Sequence, residues 1–286
     1  MKKIRTCVSG KLNTGGSKCP VEFGKIKAII LVERGKTLGE AISATSLQTL
    51  CHEDRPARIY PIKTVVEYAK NGGEPQVSAV GYGGNGVTGI SARTDTFTLD
   101  KYYEGIAASI TKNMNKKFDA YYIDSNNLLI GVNNGTDELG GFPLTTIYTT
   151  VVPHPTSGAK ASMTVSLAYE DAQAAIEDLD YIQLDSNPVD SIEGLTMVDL
   201  VGIASNKFKI LETVGGYDRT AEFGSLIATN AANVLSGATT ASYDEDEDVI
   251  TITAQSGVTP GLKSPKTLFA MNITGIEYNK TIPYSA

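Results

Sequence analysis

A chain of 286 residues with 41% hydrophobic and 20% charged side chains can bury a full core, and its length corresponds to about two domains. Its 25 basic and 32 acidic residues leave a net charge of −7, which excludes a nonspecific nucleic-acid binder, since such a protein needs a basic face to displace counterions. The longest wholly apolar run, Ala28–Val32, is far short of the roughly 20 residues that span a bilayer, and Ile4–Leu12 is too polar for a signal-peptide core. The expectation is a chain made and kept in the cytoplasm.

Residues 1–24 form a Gly/Lys/Asn-rich arm, too polar to pack alone, which either extends onto a neighbour or lies across its own domain. Lys25–Glu33 (KIKAIILVE) predicts a strand buried on both faces. Thr37 with Glu40 reads as a capping box for a helix over about 38–51. Ile59–Ala69 and Gln76–Val80 read as strands joined by a hairpin turn at Lys70-Asn71-Gly72-Gly73, with Gly81–Gly89 as a flexible loop. Over Ile90–Leu99 the residues alternate: Ala92, Thr94, Thr96 and Thr98 share one face, Arg93, Asp95, Phe97 and Leu99 the other. Asp100 is a candidate N-cap for a helix over 101–115 with one apolar stripe, Tyr103, Ile106, Ala107, Ile110 and Met114. Ala120–Ile123 and Leu128–Val132 flank a turn at Asp124–Asn127. Thr145–Val152 and Ala159–Tyr169 make a long hairpin with its tip at 153–158.

A short helix over about 170–179 and an extended Tyr181–Leu184 close a domain of residues 25–186. Ser186-Asn187-Pro188 is the linker to a smaller β domain over 190–286. That domain reads as strands at Lys207–Thr213, Thr239–Tyr243, Val249–Ala254 and Ile273–Tyr278, with a helical or irregular turn near 219–230. There is no strict internal repeat.

The motifs that carry chemistry elsewhere fail here on their context. Gly81-Tyr82-Gly83-Gly84-Asn85-Gly86 satisfies G-x-G-x-x-G, but Val87–Ser91 after it has a strand pattern, whereas a pyrophosphate needs a helix N-terminus there. Gly35-Lys36-Thr37 lacks the glycine five residues upstream that a P-loop requires, because Ile30 stands in that place. Asp244–Asp248 is a run of five carboxylates without the ligand spacing or central glycine of an EF-hand, so it reads as a solvated hairpin tip. Cys7, Cys19 and Cys51 are odd in number and have no CxxC spacing, which fits free thiols better than a disulfide framework or zinc site. Asn134, Asn272 and Asn279 match the Asn-x-Ser/Thr pattern, which has no meaning without a secretory route. His154 sits between two prolines with no carboxylate to orient it. His52 ends a helix, where an imidazolium complements the dipole. No catalytic, cofactor-binding or metal-ligating residue is expected.

What remains is surface. Threonine-rich alternating strands and long hairpins with Gly/Pro/Ser tips build sheets whose faces and edges do the work, and an unpaired strand edge is a template for association. The order of hairpin, strand, helix, strand and long hairpin resembles the tail-tube domain of bacteriophage major tail proteins, and the small β domain after it resembles the Ig-like decoration often appended to them. More closely, Tyr121–Gly131 (YYIDSNNLLIG), Gly141–Thr145 (GFPLT) and Lys263–Phe269 (KSPKTLF) are similar to structural proteins of phages infecting Bacteroidetes, including the crAss-like group.

The resemblance implies a mainly β fold with a few helices (α+β): a tail-tube-like β-sandwich or barrel with long hairpins, followed by an Ig-like domain. It implies a non-enzymatic virion subunit, assembled in the host cytoplasm, that forms rings or a tube with copies of itself and meets other virion proteins. Residues near 59–99 and 145–169 would line and stitch the tube, with DNA passing without sticking and no membrane contact. The alternatives are another virion component (tail-barrel ring, head decoration or fibre) or a surface- or carbohydrate-binding β module.

Overall fold

The computed structural model describes residues 21–79, 81–136, 138–152, 154–158, 160–256 and 258–279. The chain is mainly β, 42% strand against 18% helix, with its strands in several sheets. It divides into two compact units. One holds the described residues up to Leu47, Pro61–Tyr102 and Asn113–Ser191. The other holds Gln48–Tyr60, Tyr103–Lys112 and the described residues from Ile192 onward.

The first part of the chain runs β1 (Ile26–Glu33), α1 (Ala44–His52), β2 (Ile59–Ile62), β3 (Val65–Asn71), β4 (Pro75–Ala79), β5 (Asn85–Ile90), β6 (Thr94–Leu99) and α2 (Glu104–Asn113). It continues through β7 (Phe118–Asp124), β8 (Leu128–Asn133), β9 (Leu139–Gly140), β10 (Phe142–Thr149), β11 (Thr164–Tyr169), α3 (Ala174–Glu177) and β12 (Leu179–Gln183). Ten strands form one sheet in the order β12-β8-β7-β10-β11-β6-β3, with β1 on β7, β2 on β1 and β9 on β8. β4 and β5 pair only with each other.

β7 is buried along its whole length, and β1 lies antiparallel to it with Ile29 opposite Tyr122 and Leu31 opposite Ala120. Strands covered on both faces need apolar side chains on both, which is why β1 reads as an unbroken apolar run. β10 pairs with β7 through Phe142 and Pro143 and with β11 from Leu144 onward, so it carries the sheet from one section to the next. A chain of aromatic contacts runs inward from the exposed Tyr68: Tyr68 to Phe97, Phe97 to Tyr122 and Tyr122 to Phe142 at 5.2–5.3 Å, then Phe142 to Tyr169 at 5.6 Å.

Three local expectations are corrected. The cap of α1 is a reciprocal pair in which Ser46 N donates to Ser43 Oγ (3.1 Å) and Ser43 N to Ser46 Oγ (2.8 Å); Thr37 instead donates to Glu138. The strand expected over 59–69 is broken at Thr64, whose φ is +62°. β3 and β4 do not form a hairpin: β3 takes β6 as its partner, and β4 folds back on β5 through a tip where Gly81 and Gly84 adopt positive φ. The Asp124–Asn127 turn forms as expected. Asp124 Oδ1 accepts from the backbone of Asn126 (2.8 Å) and Leu128 (2.9 Å), while Asn127 takes a φ of +61°.

The second unit contains β13 (Thr196–Ala204), β14 (Lys207–Glu212), α4 (Thr220–Thr229), α5 (Ala231–Val234), β15 (Leu235–Ser236), β16 (Ala238–Asp244), β17 (Val249–Ala254), β18 (Gly261–Leu262), α6 (Pro265–Phe269) and β19 (Ile276–Tyr278). Five strands form a sheet in the order β16-β17-β14-β13-β19, antiparallel except for β13 with β19, and β15 pairs with β18. Phe208, Ile210, Ile250 and Ile252 face Phe223, Ile227, Ala231 and Val234 in one buried cluster. The helical residues recur at intervals of four and three and supply the second layer. That layer corrects the Ig-like expectation for 190–286, since helices stand where an Ig-like domain places a second sheet. Gly224 lies mid-helix because α4 passes close to Tyr243: a Cβ there would fall 2.3 Å from the ring.

Candidate functional site

The residues singled out for chemistry occupy ordinary structural roles. Gly81–Gly86 is the tip of the β4–β5 hairpin and the start of β5, so no helix follows it. The Asp244–Asp248 tip closes on itself: Asp244 Oδ1 accepts from Asp246 N (3.0 Å) and Glu247 N (3.2 Å), and Glu247 pairs with Lys207. His52, expected as a helix-end imidazolium facing the dipole, takes a different part. Its ring is buried and stacks on Phe269 with centroids 4.3 Å apart, with Nδ1 3.0 Å from Gln48 O and Nε2 accepting from Gly275 N at 3.2 Å. Cys51 is a buried free thiol, and Cys7 and Cys19 lie outside the described residues. Among the described residues, no group of three His, Cys, Asp or Glu is placed to hold a metal ion, and no helix is long and apolar enough to cross a membrane. A shallow depression of about 530 Å³ has Lys27 and Lys63 on its lining together with Asp100 and Asp190, so its charges oppose one another.

One polar constellation was not singled out in the sequence. Asp95 is completely buried and receives Arg93 through Nε (2.9 Å) and Nη2 (2.7 Å), Tyr169 OH (2.7 Å) and Tyr122 OH (3.3 Å). The two phenol oxygens lie 2.5 Å apart, and the Arg93 guanidinium sits 4.4 Å from the centroid of the Tyr169 ring. Burial, with the Asp95 charge adding to it, holds both phenols well above the ordinary tyrosine range. Burial is the largest single influence on Arg93 and opposes its charge, but the bond to Asp95 and the electrostatic attraction of Tyr169, Asp95 and Tyr68 together outweigh it and raise its pKa. Four donors saturate one carboxylate and leave no group to act on a substrate. The signal in the sequence was Asp95 itself, an acid on the apolar face of an alternating strand.

On β6, β10 and β11 the face opposite the buried Asp95, Phe97 and Leu99 carries hydroxyls, and several of them are hydrogen-bonded within the sheet. Thr94, Thr96 and Thr98 are half-buried between the buried Asp95, Phe97 and Leu99, as the alternation predicted. Cross-strand register places Ser166 and Thr164 of β11 beside Thr96 and Thr98, with Tyr148 of β10 opposite Ser166. Thr96 Oγ1 meets Ser166 Oγ at 3.2 Å, so these strands share a hydroxyl-bearing face. β3 ends the sheet path on this side and is exposed from Val66 to Asn71.

Next along the chain, the β4–β5 ribbon is the least covered element. Every residue of β4 is exposed, Val77 and Val87 pair across the strands at 58% and 68% exposure, and Tyr82 at the tip is fully exposed. The register gathers Pro75, Val77, Ala79, Val87 and Ile90 on one face and Gln76 and Ser78 on the other. From Pro75 to Ala92 there is no charged residue. Val151 and Val152, in the loop joining β10 to β11, are also exposed. Comparison with protein-family models, with curated proteins and with solved structures gave no match.

Proposed function

We propose that this chain is a non-enzymatic structural subunit that assembles with copies of itself into rings or a tube of a bacteriophage tail through which DNA passes. The observation that carries the reading is the β4–β5 ribbon. A lone two-stranded hairpin is marginal in water, and one that exposes paired valines without a single charge gains most from being covered. Charge depletion with an aromatic at the tip is the composition of a protein interface core, and the lack of Lys and Arg argues against a grip on phosphate.

The exposed β3 edge beside it offers a template for strand addition. The net charge of −7 supports the passage of DNA, since a net-negative chain repels a polyanion and does not hold it. The resemblance of Tyr121–Gly131, Gly141–Thr145 and Lys263–Phe269 to phage structural proteins supports the virion setting.

Negative-stain microscopy of the purified chain at high concentration tests the reading. Rings or tubes are expected, and their symmetry order separates a tail tube from a collar ring, a head decoration or a fibre. A chain that stays monomeric throughout would refute it. The second reading, a carbohydrate-binding β module, draws on the exposed Tyr82 and Tyr148, and a positive glycan array with no assembly would favour it.

A further inference from the structure

The second unit has an open sheet edge of its own. Among the described residues β16 pairs only with β17, and it ends the five-stranded sheet. Ile252 N donates to Asn206 O, next to β14, at 2.8 Å, so Ile252 turns its backbone toward β14 while Thr251 and Thr253 turn theirs toward β16. Ser242 and Thr240, opposite those two, complete that ladder. The backbone N–H and C=O groups of Ala241 and Tyr243, which alternate with them, therefore point away from the sheet. An unpaired row of this kind is a template for one more strand.

The surroundings of this edge define the strand that fits it. The side chains of Ala241 and Tyr243 pack against the cluster under α4 and α5. A groove of about 240 Å³ runs between helices and strand, with Ala228, Ala232 and Asn233 on one wall and Thr239, Thr240 and Ala241 on the other. Methyl, hydroxyl and amide groups line it, and from Phe223 to Tyr243 there is no charged residue. Asp244–Asp248 then places five carboxylates at the C-terminal end of β16. Glu247 pairs with Lys207 and Asp248 accepts from Tyr243 OH at 2.9 Å, while Glu245 and Asp246 are exposed.

We infer that β16 captures an extended segment of another protein by strand addition, a segment with small uncharged side chains alternating into the groove and basic residues at its N-terminal end. Antiparallel addition, the more stable arrangement per residue, runs the segment opposite to β16 and brings its N-terminal end beside Glu245 and Asp246. Backbone hydrogen bonds to Ala241 and Tyr243 supply affinity, and the carboxylates set the direction. The inference is independent of the assembly reading, which concerns strands of the first unit.

The test uses the full-length chain and two fluorescent peptides of about nine residues, long enough to span β16. Both alternate valine and serine; one carries lysines at its N-terminal end, the other at its C-terminal end. In fluorescence anisotropy at low salt the first is expected to bind about tenfold tighter, and Glu245→Gln with Asp246→Asn to abolish that difference. Hydrogen exchange at Ala241 and Tyr243 is expected to slow when the peptide is bound. Ala241→Pro removes an outward donor, leaves the ladder to β17 intact, and is expected to weaken both peptides by about tenfold. Ala232→Phe, at an exposed position, fills the groove and is expected to weaken them likewise, which keeps the test decisive if the proline variant loses its fold. No binding of either peptide, equal binding of the two, or parent affinity in a folded variant would overturn the inference. So would a sedimentation coefficient that falls in Ala241→Pro with no peptide present, which assigns the edge to a second copy.

Discussion

Placing a charge on the apolar face of the ribbon separates assembly from folding. Val77→Asp with Val87→Asp puts two carboxylates where two valines now stand 58% and 68% exposed. Fully burying a valine contributes about 1.5 kcal/mol, so covering what is exposed here is worth about 1 kcal/mol at each position and about 2 kcal/mol per contact between copies. That corresponds to roughly thirtyfold in the dissociation constant of one contact, before the added cost of desolvating two carboxylates. Because neither side chain is buried within the subunit, its own stability is expected to move by no more than about 0.5 kcal/mol. Sedimentation velocity across a concentration series, paired with urea unfolding, reads both quantities. The expected result is an assembly threshold raised by thirtyfold or more with an unchanged urea midpoint. Gln76→Asp with Ser78→Asp, on the opposite face, is expected to shift the threshold less. If the valine variant assembles at the parent concentration, the ribbon is not the contact and the reasoning fails.

Three further outcomes follow from the interior. Asp95→Ala strands the Arg93 guanidinium and two phenols, and breaking a buried pair in this way is expected to cost about 3–5 kcal/mol in urea unfolding followed by near-ultraviolet tyrosine dichroism; a loss under about 1 kcal/mol would mean that the network is not formed. Tyr122 and Tyr169 titrate well above the ordinary tyrosine value near 10, so the folded state holds protons that the unfolded state releases. Their contribution is fully present below pH 10 and is lost as the pH climbs from there toward the folded values. Stability is expected to fall by about 2.7 kcal/mol per pH unit in that range, and Tyr169→Phe to remove about half of the slope. Gly224→Ala should lose about 1–3 kcal/mol, although alanine favours a helix by about 1 kcal/mol, because the new methyl meets the Tyr243 ring. A stabilised Gly224→Ala protein in thermal melts would show that α4 stands farther from the sheet than described.

Much of the fold could be read from local rules, and the remainder depended on contacts distant in sequence. β1 and the Asp124–Asn127 turn were legible because an unbroken apolar run and an Asx turn each carry their cause in a few adjacent residues. The β4–β5 pairing was not, since Asn71-Gly72 and Gly81–Gly84 both have turn chemistry. What decided between them is that β3 takes the six-residue β6 as its partner, a choice made more than 20 residues away. β13 was missed because Asp199 interrupts its apolar pattern, and its partner is distant in sequence: Thr213 Oγ1, just past β14, donates to Asp199 Oδ2 at 2.9 Å. Asp95 could have been flagged as a buried acid, with Arg93 two residues back on the same face. Tyr122 and Tyr169 reach it only because β7 and β11 bring them there. The same limit applies to the ribbon. Alternation and register predict one apolar face on β4 and β5, but an apolar face is usually where a strand meets its own core. Only the folded chain shows that β4 is exposed along its whole length and that Val77 and Val87 stay more than half exposed. A face that its own subunit leaves uncovered is stabilised by a second molecule, and that is why it is read here as a surface for assembly.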